Sequence, residues 1–263
     1  MSDFTLERDG ADPTAVFLHG FCQSSAYWEP TAARLAAAGI ACLAPDLPGF
    51  GASAAEPGPY TMAALADSVA RLLDARGLSR ITLIGGSMGG VVAQQFVLRY
   101  PERVTRLLLV ATGAMAADPA VALAKADAMA AAPWDEAAVE PIVNGFFLRP
   151  PSASDLARFR RIALSAAQAA AIEAARSNAS NNTLDQLASI RVPTLIIQGR
   201  HDRARTPEHG AQMRARIAGA ALAVIEDAGH TPQLEQPDAF HDVALPFLLA
   251  ARVDQPVVGR TTV

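Results

Sequence analysis

LIGGSMGG, residues 83–90, sets four glycines within six positions directly behind an apolar, strand-like run, Ile81-Thr82-Leu83-Ile84. Each glycine loses more backbone freedom on folding than any other residue, so this density weakens whatever regular element contains it. Met88–Arg99 reads as a helix halted by Pro101, which puts the glycines where a strand turns abruptly into a helix. Gly85-Gly86-Ser87-Met88-Gly89 has the spacing G-x-S-x-G, so the small residues surround one serine. A phosphate-binding loop would need a Lys-Ser/Thr pair at this turn, and none is present.

Outward from this turn, apolar runs alternate with helical patterns. Ala15–Leu18 is a short run ending in His19-Gly20, Ala32–Ala38 reads as helix and Ile40–Ala44 as a buried strand. Thr61 is placed to cap a helix running to about Arg76, which Gly77 stops. Beyond the Ser87 turn come strand Leu107–Val110, strand Thr194–Gln198, a helix from Pro207 to Ile217, strand Ala221–Glu226 and a closing helix from about Pro237. Continuous apolar strands separated by helices predict an α/β fold: a mostly parallel central sheet covered by helices on both faces. Residues 114–190 break the rhythm. They are rich in alanine at helical spacing, are punctuated by Pro133, Pro141, Pro150 and Pro151, and hold no convincing strand. The expected organisation is therefore a core of 1–113 and 191–263 with a helical lid, 114–190, over the carboxyl edge where open α/β sheets bind ligands. Asn178–Thr183 reads as the loop back into the core, and the tail from Asp254 is expected to fray.

The 263 residues suit one large α/β domain, and a composition 51% hydrophobic and 18% charged supplies a sizeable core. A formal charge of −4 gives no footprint for nucleic acid or anionic lipid. Lys125 is the only lysine, a bias that fits base composition better than function. The opening MSDFTLERDG has no basic region followed by an apolar one, and no helical candidate is long enough to span a membrane. Cys22 and Cys42 lie in or near apolar runs without C-x-x-C spacing, as expected of reduced structural thiols in a cytoplasmic protein.

A serine hydroxyl is a poor nucleophile near neutrality unless a base takes its proton. Of five histidines, His230 follows the last predicted strand and precedes the last helix, on a carboxyl-edge loop. His209 and His241 fall inside helices and are expected to be solvated. His201 shares a carboxyl-edge loop with Asp202, which is the acid that loop should supply to orient the base. Asp227 is nearer to His230 in sequence, but so short a separation rarely lets a carboxylate reach the far ring nitrogen, and it reads as a turn residue.

His-Gly-Phe (19–21), Asp-Leu-Pro-Gly-Phe-Gly (46–51), Gly-x-Ser-Met-Gly-Gly (85–90) and the late Gly-His (229–230) together resemble the α/β-hydrolase superfamily over about 15–113 and 191–250. The resemblance implies a nucleophile elbow, with Ser87 strained and exposed, and side chains at 85 or 89 colliding with the neighbouring helix or strand. It implies catalytic Ser87, Asp202 and His230 in the family's chain order, and an oxyanion hole formed by the backbone N–H groups of Phe21 and Met88. His19 would then brace its turn, Trp28 pack, and Asp46 be structural. No cofactor and no metal are implied. A serine at position 87 speaks against haloalkane dehalogenases and epoxide hydrolases, which resemble the chain but need aspartate there. The leading expectation is hydrolysis of a small-molecule carboxylic ester or lactone, with no nucleic-acid or membrane partner and the oligomeric state open. C–C hydrolases of meta-cleavage diketones and cofactor-free perhydrolases also share Ser-Met-Gly-Gly, and some receptors keep the same scaffold. A C–C hydrolase needs a cationic anchor; Arg149, Arg158, Arg160 and Arg161 are available but read as a solvated face. Phe146 and Phe147 are the largest adjacent apolar side chains of the lid, and at least one is expected to face the substrate.

Overall fold

In the computed structural model, which describes residues 3–6 and 14–250, seven strands form one sheet. They are β1 (Asp3–Leu6), β2 (Thr14–Leu18), β3 (Cys42–Pro45), β4 (Ile81–Gly86), β5 (Val104–Val110), β6 (Thr194–Gly199) and β7 (Ala221–Ile225). Their order is β1-β3-β2-β4-β5-β6-β7; six run parallel and β1 pairs antiparallel with β3 at one edge. This is the mostly parallel sheet expected from the apolar runs. The edge strand β1 was not foreseen, because four residues carry too little pattern. The tail from Asp254 lies outside the described residues.

Side chains alternate across each strand, and the two faces have separate cores. Val16, Leu18, Leu43, Leu83, Leu107, Leu109 and Ile196 face one core with α2 (Met62–Ala75), α3 (Met88–Arg99) and α8 (Pro207–Arg214). Ala15, Phe17, Ala44, Ile84, Leu108, Val110 and Ile197 face the other, against α1 (Glu29–Ala37) and α10 (Pro237–Leu249). Thr61 caps α2 by accepting from the Ala64 N–H at 3.2 Å, and Gly77 ends it at φ +66°. The helix after Thr206 stops at Arg214, short of Ile217, and a one-turn helix α9 (Pro232–Glu235) precedes α10.

Residues 114–190 form four helices between β5 and β6: α4 (Pro119–Ala131), α5 (Glu136–Asn144), α6 (Ala153–Leu164) and α7 (Gln168–Ser180). Asp118, Asp135 and Ser152 cap the first three through backbone N–H groups of their opening turns. Pro133 and Pro150-Pro151 separate helices as expected, whereas Pro141 sits inside α5, and Asn178–Ser180 belong to α7 rather than to a loop. α4 packs on α7 and α5 on α6. The segment's two ends meet in an isolated antiparallel bridge between Met115 and Asn182. α3 holds this neck: the Thr183 hydroxyl donates to Gln94 Oε1 at 2.6 Å, and Gln95 Nε2 donates to Asn181 Oδ1 at 2.8 Å. Among the described residues no helix is long and apolar enough to cross a membrane.

Candidate active site

The turn between β4 and α3 holds Ser87 at φ 52°, ψ −118°, a backbone region that side chains rarely occupy and that costs of order 1–3 kcal/mol. Two bonds to the β5 end hold it there. The Ser87 N–H donates to Val110 O at 2.9 Å, and its carbonyl accepts from the Thr112 hydroxyl at 2.7 Å. The flanking glycines are required by space. A Cβ on Gly85 would strike the Gly89 carbonyl in α3, and one on Gly89 would strike the Leu18 and His19 carbonyls at the end of β2. Gly86 and Gly90 face Trp28 and Thr112, whose atoms a Cβ would approach to 2.9 and 2.6 Å.

Two adjacent carboxyl-edge loops carry the other groups. The loop after β6 is pinned to the loop after β7 by Arg200 N–H to Ile225 O and His201 N–H to Ala228 O, both 2.9 Å. Asp202 and His230 are thereby side by side and buried. His230 Nδ1 lies 2.7 Å from Asp202 Oδ2, and His230 Nε2 lies 2.7 Å from Ser87 Oγ. A carboxylate only accepts, so Nδ1 carries the proton and Nε2 is free to accept from the serine hydroxyl. Asp202 Oδ1 is held by the N–H groups of Ala204 and Arg205 at 2.8 and 2.9 Å. Arg205 itself donates from Nη1 to Met115 O at 3.1 Å, and burial lowers its pKa against the attraction of Asp202. Ser87 is only half-buried, so the hydroxyl is reachable.

Phe21 lies in the loop after β2, and Met88 begins helix α3. Among the described residues neither N–H has a protein acceptor. The Phe21 loop turns through Cys22 at φ 53° and is braced by Gln23, whose Oε1 accepts from the Gly20 N–H at 2.9 Å. His19 braces it from behind, Nε2 accepting from the Leu47 N–H at 2.9 Å; burial lowers its pKa, in keeping with a neutral ring. Trp28 is buried and donates to Leu18 O, and Asp46 accepts from the Ser25 and Ala52 N–H groups at 2.6 and 2.7 Å. Both are the structural residues the sequence implied.

The remaining candidates separate. Asp227 sits in a turn at φ 54° with its carboxylate exposed, 3.7 Å from Arg149. His201 is exposed. His241 is not solvated as expected: it is buried between α10 and α1, with Nε2 3.2 Å from Thr31 Oγ1. His209 is half-buried, 3.3 Å from Thr206 Oγ1, rather than solvated. A lone histidine in a helix carries no sign in the sequence of which face it takes. Arg158 and Arg160 are half-buried, not on the fully solvated face expected, and pair with Glu29 and Glu140 at 2.6 and 2.5 Å, while Arg161 is exposed. Phe146 is buried and lies in a stacked arrangement with the His230 ring, centroids 6.1 Å apart; Phe147 stacks on Phe159 at 5.4 Å. Gln23, Thr112 and Glu235, which support these loops, carry no motif and were not anticipated.

Residues 13–237 match the model of a family described as alpha/beta hydrolase fold. The chain is 32% identical over 256 residues to a pimeloyl-[acyl-carrier protein] methyl ester esterase of Aeromonas salmonicida, covering 93% of this chain and 98% of that protein. It is 30% identical over 268 residues to a 2-hydroxy-6-oxononadienedioate/2-hydroxy-6-oxononatrienedioate hydrolase of Klebsiella pneumoniae, covering 92% and 89%. Among solved structures, the enol-lactonase from Burkholderia xenovorans superposes with a TM-score of 0.85 at 27% identity, over 94% of this chain and 96% of that one.

Proposed function

The chain belongs to the alpha/beta hydrolase fold family, and we propose that it is a serine hydrolase cleaving a carboxylic ester or lactone through an acyl-enzyme on Ser87. The observation that carries this reading is the unbroken relay from Ser87 Oγ to His230 Nε2 and from Nδ1 to Asp202, each link 2.7 Å. Ser87 Oγ attacks the acyl carbon while His230 takes the hydroxyl proton, and Asp202 stabilises the imidazolium that results. The N–H groups of Phe21 and Met88 hold the oxyanion. Collapse breaks the acyl–oxygen bond, and His230 returns its proton to the departing alkoxide. Water then attacks the acyl-enzyme with His230 as base, releasing the acid and restoring Ser87. Residues 114–190 act in this scheme as a lid on the flanking sheet core, with Phe146 and Phe147 on its substrate side. Similarity to the methyl ester esterase and the enol-lactonase supports the substrate class.

Similarity to the Klebsiella hydrolase favours a second reading, cleavage of a C–C bond in a diketone acid. Against it, Arg158 and Arg160 are already paired with glutamates and Arg149 faces Asp227. A panel of short esters, lactones and dienoate diketones, with Ser87→Ala as control, separates the readings. Turnover of esters or lactones, lost by at least ~10³ in a folded Ser87→Ala, is expected. Turnover near wild type in that variant places the chemistry elsewhere, and tight binding without turnover indicates a receptor.

A further inference from the structure

Glu235, the last residue of α9, accepts hydrogen bonds on both carboxylate oxygens. Oε1 takes the Gly229 N–H at 3.0 Å and the Thr231 N–H at 3.1 Å, bracketing His230 on both sides. Oε2 takes the Leu148 N–H of the helical segment at 2.6 Å. The Thr231 hydroxyl shares its one proton between Glu235 Oε1 at 3.2 Å and Phe146 O at 3.1 Å. Phe146 O also accepts the His230 N–H at 3.1 Å, and the Phe146 ring stacks on the imidazole. The two backbones meet so closely that a Cβ on Gly229 would come within 2.8 Å of Leu148 N. A carboxylate that gathers several N–H groups makes charge-assisted bonds and fixes the loop it spans.

We propose that Glu235 is a positioning residue for His230 and that residues 146–148 are part of the support of that base, not a freely swinging wall. The proposal rests on the reading of His230 as general base. Loss of the bracket lets the imidazole drift, and a displacement of about 1 Å at a reacting group costs as much as 10²-fold in rate. Glutamine keeps the Oε1 contacts but turns an N–H donor towards the Leu148 N–H, so it opens only the tie to the helical segment. Alanine removes both.

The test compares wild type, Glu235→Gln and Glu235→Ala by fluorophosphonate labelling of Ser87 and by ester turnover per titrated serine. We expect a kcat about 10- to 100-fold lower in Glu235→Ala, an intermediate value in Glu235→Gln, KM within about twofold, and labelling slowed in parallel at full final stoichiometry. If alanine prevents folding, the glutamine variant carries the test alone. A lower Tm with wild-type kcat per titrated serine in the folded variants makes Glu235 merely structural and overturns the proposal. Failure of the wild-type Ser87 to label at all overturns the serine-hydrolase reading, and this proposal with it.

Discussion

Ser87 occupies its strained backbone only because Val110 and Thr112 hold both of its peptide groups, so the exposure of its hydroxyl is set by the end of a neighbouring strand. The carboxylate beside His230 is equally specific. Asp202 is buried and anchored by two N–H groups, whereas Asp227 looks outward to Arg149. Asp202→Asn is therefore expected to fold and to lose on the order of 10³–10⁴ in kcat through the wrong histidine tautomer, with Asp227→Asn close to wild type. Steady-state kinetics on one ester decides it; a mild Asp202→Asn beside a crippled Asp227→Asn reverses the assignment. Histidine burial also gives a pH dependence of stability. Burial lowers the pKa of His19, and the same direction holds for His209 and His241. Below the unfolded value of about 6.5 the unfolded chain binds protons that the native state refuses, so stability falls with acidification until the lowered native pKa is reached. The slope is about 1.4 kcal/mol per pH unit for a fully linked group such as His19. Urea midpoints are expected to drop from pH 7.5 to 5.5; a midpoint that rises over that window contradicts the assignment.

Among elements, the segment joining α5 to α6 presents two adjacent phenylalanines to different neighbours. Phe146 touches His230 and, edge-on at 6.0 Å, Tyr27, while Phe147 stacks on Phe159 of α6. Phe146→Ala is expected to lower kcat on acetyl and bulky acyl esters alike and to reduce Tm, since it removes packing against the His230 ring. Phe147→Ala is expected to raise KM for bulky acyl groups by an amount worth about 1–3 kcal/mol, with acetyl esters little changed. Measuring both variants on a chain-length series distinguishes these outcomes. Uniform losses in both, with a fallen Tm, remove Phe147 from the pocket.

Over the whole molecule, the helical segment and the sheet are joined at a polar neck. Thr183 is fully buried and donates to Gln94 in the helix that follows Ser87, while its N–H reaches Ala114 O at 3.0 Å. Thr183→Val keeps the shape but leaves Gln94 Oε1 without its donor, at an expected cost of about 1–3 kcal/mol. Hydrogen exchange checks where the loss falls: α7 is expected to exchange faster in the variant than in the wild type, with β4 and β5 unchanged. Equal acceleration across the sheet shows instead that the neck stabilises the molecule globally.

Much of this architecture is written locally. The strands β2 to β7 follow from continuous apolar runs, the helices from 3.6-residue periods, and the Thr61 cap and the glycines around Ser87 from turn chemistry, while the order Ser87, Asp202, His230 is what the family resemblance implies. A period says that a residue is buried, not against what. The edge strand β1 exists through its pairing with β3, and His241 is buried because a threonine 210 residues away packs against it. Pro141 sits inside a helix that its neighbours hold, and Asn178–Ser180 extend α7 rather than loosening into a loop. Glu235 reads as one more acidic residue two positions before a proline; only the approach of residues 146–148 to the His230 loop gives its second carboxylate oxygen something to hold. These contacts join segments far apart in the chain, and their partners are chosen when the sheet closes and brings its loops to one edge, which no local pattern encodes.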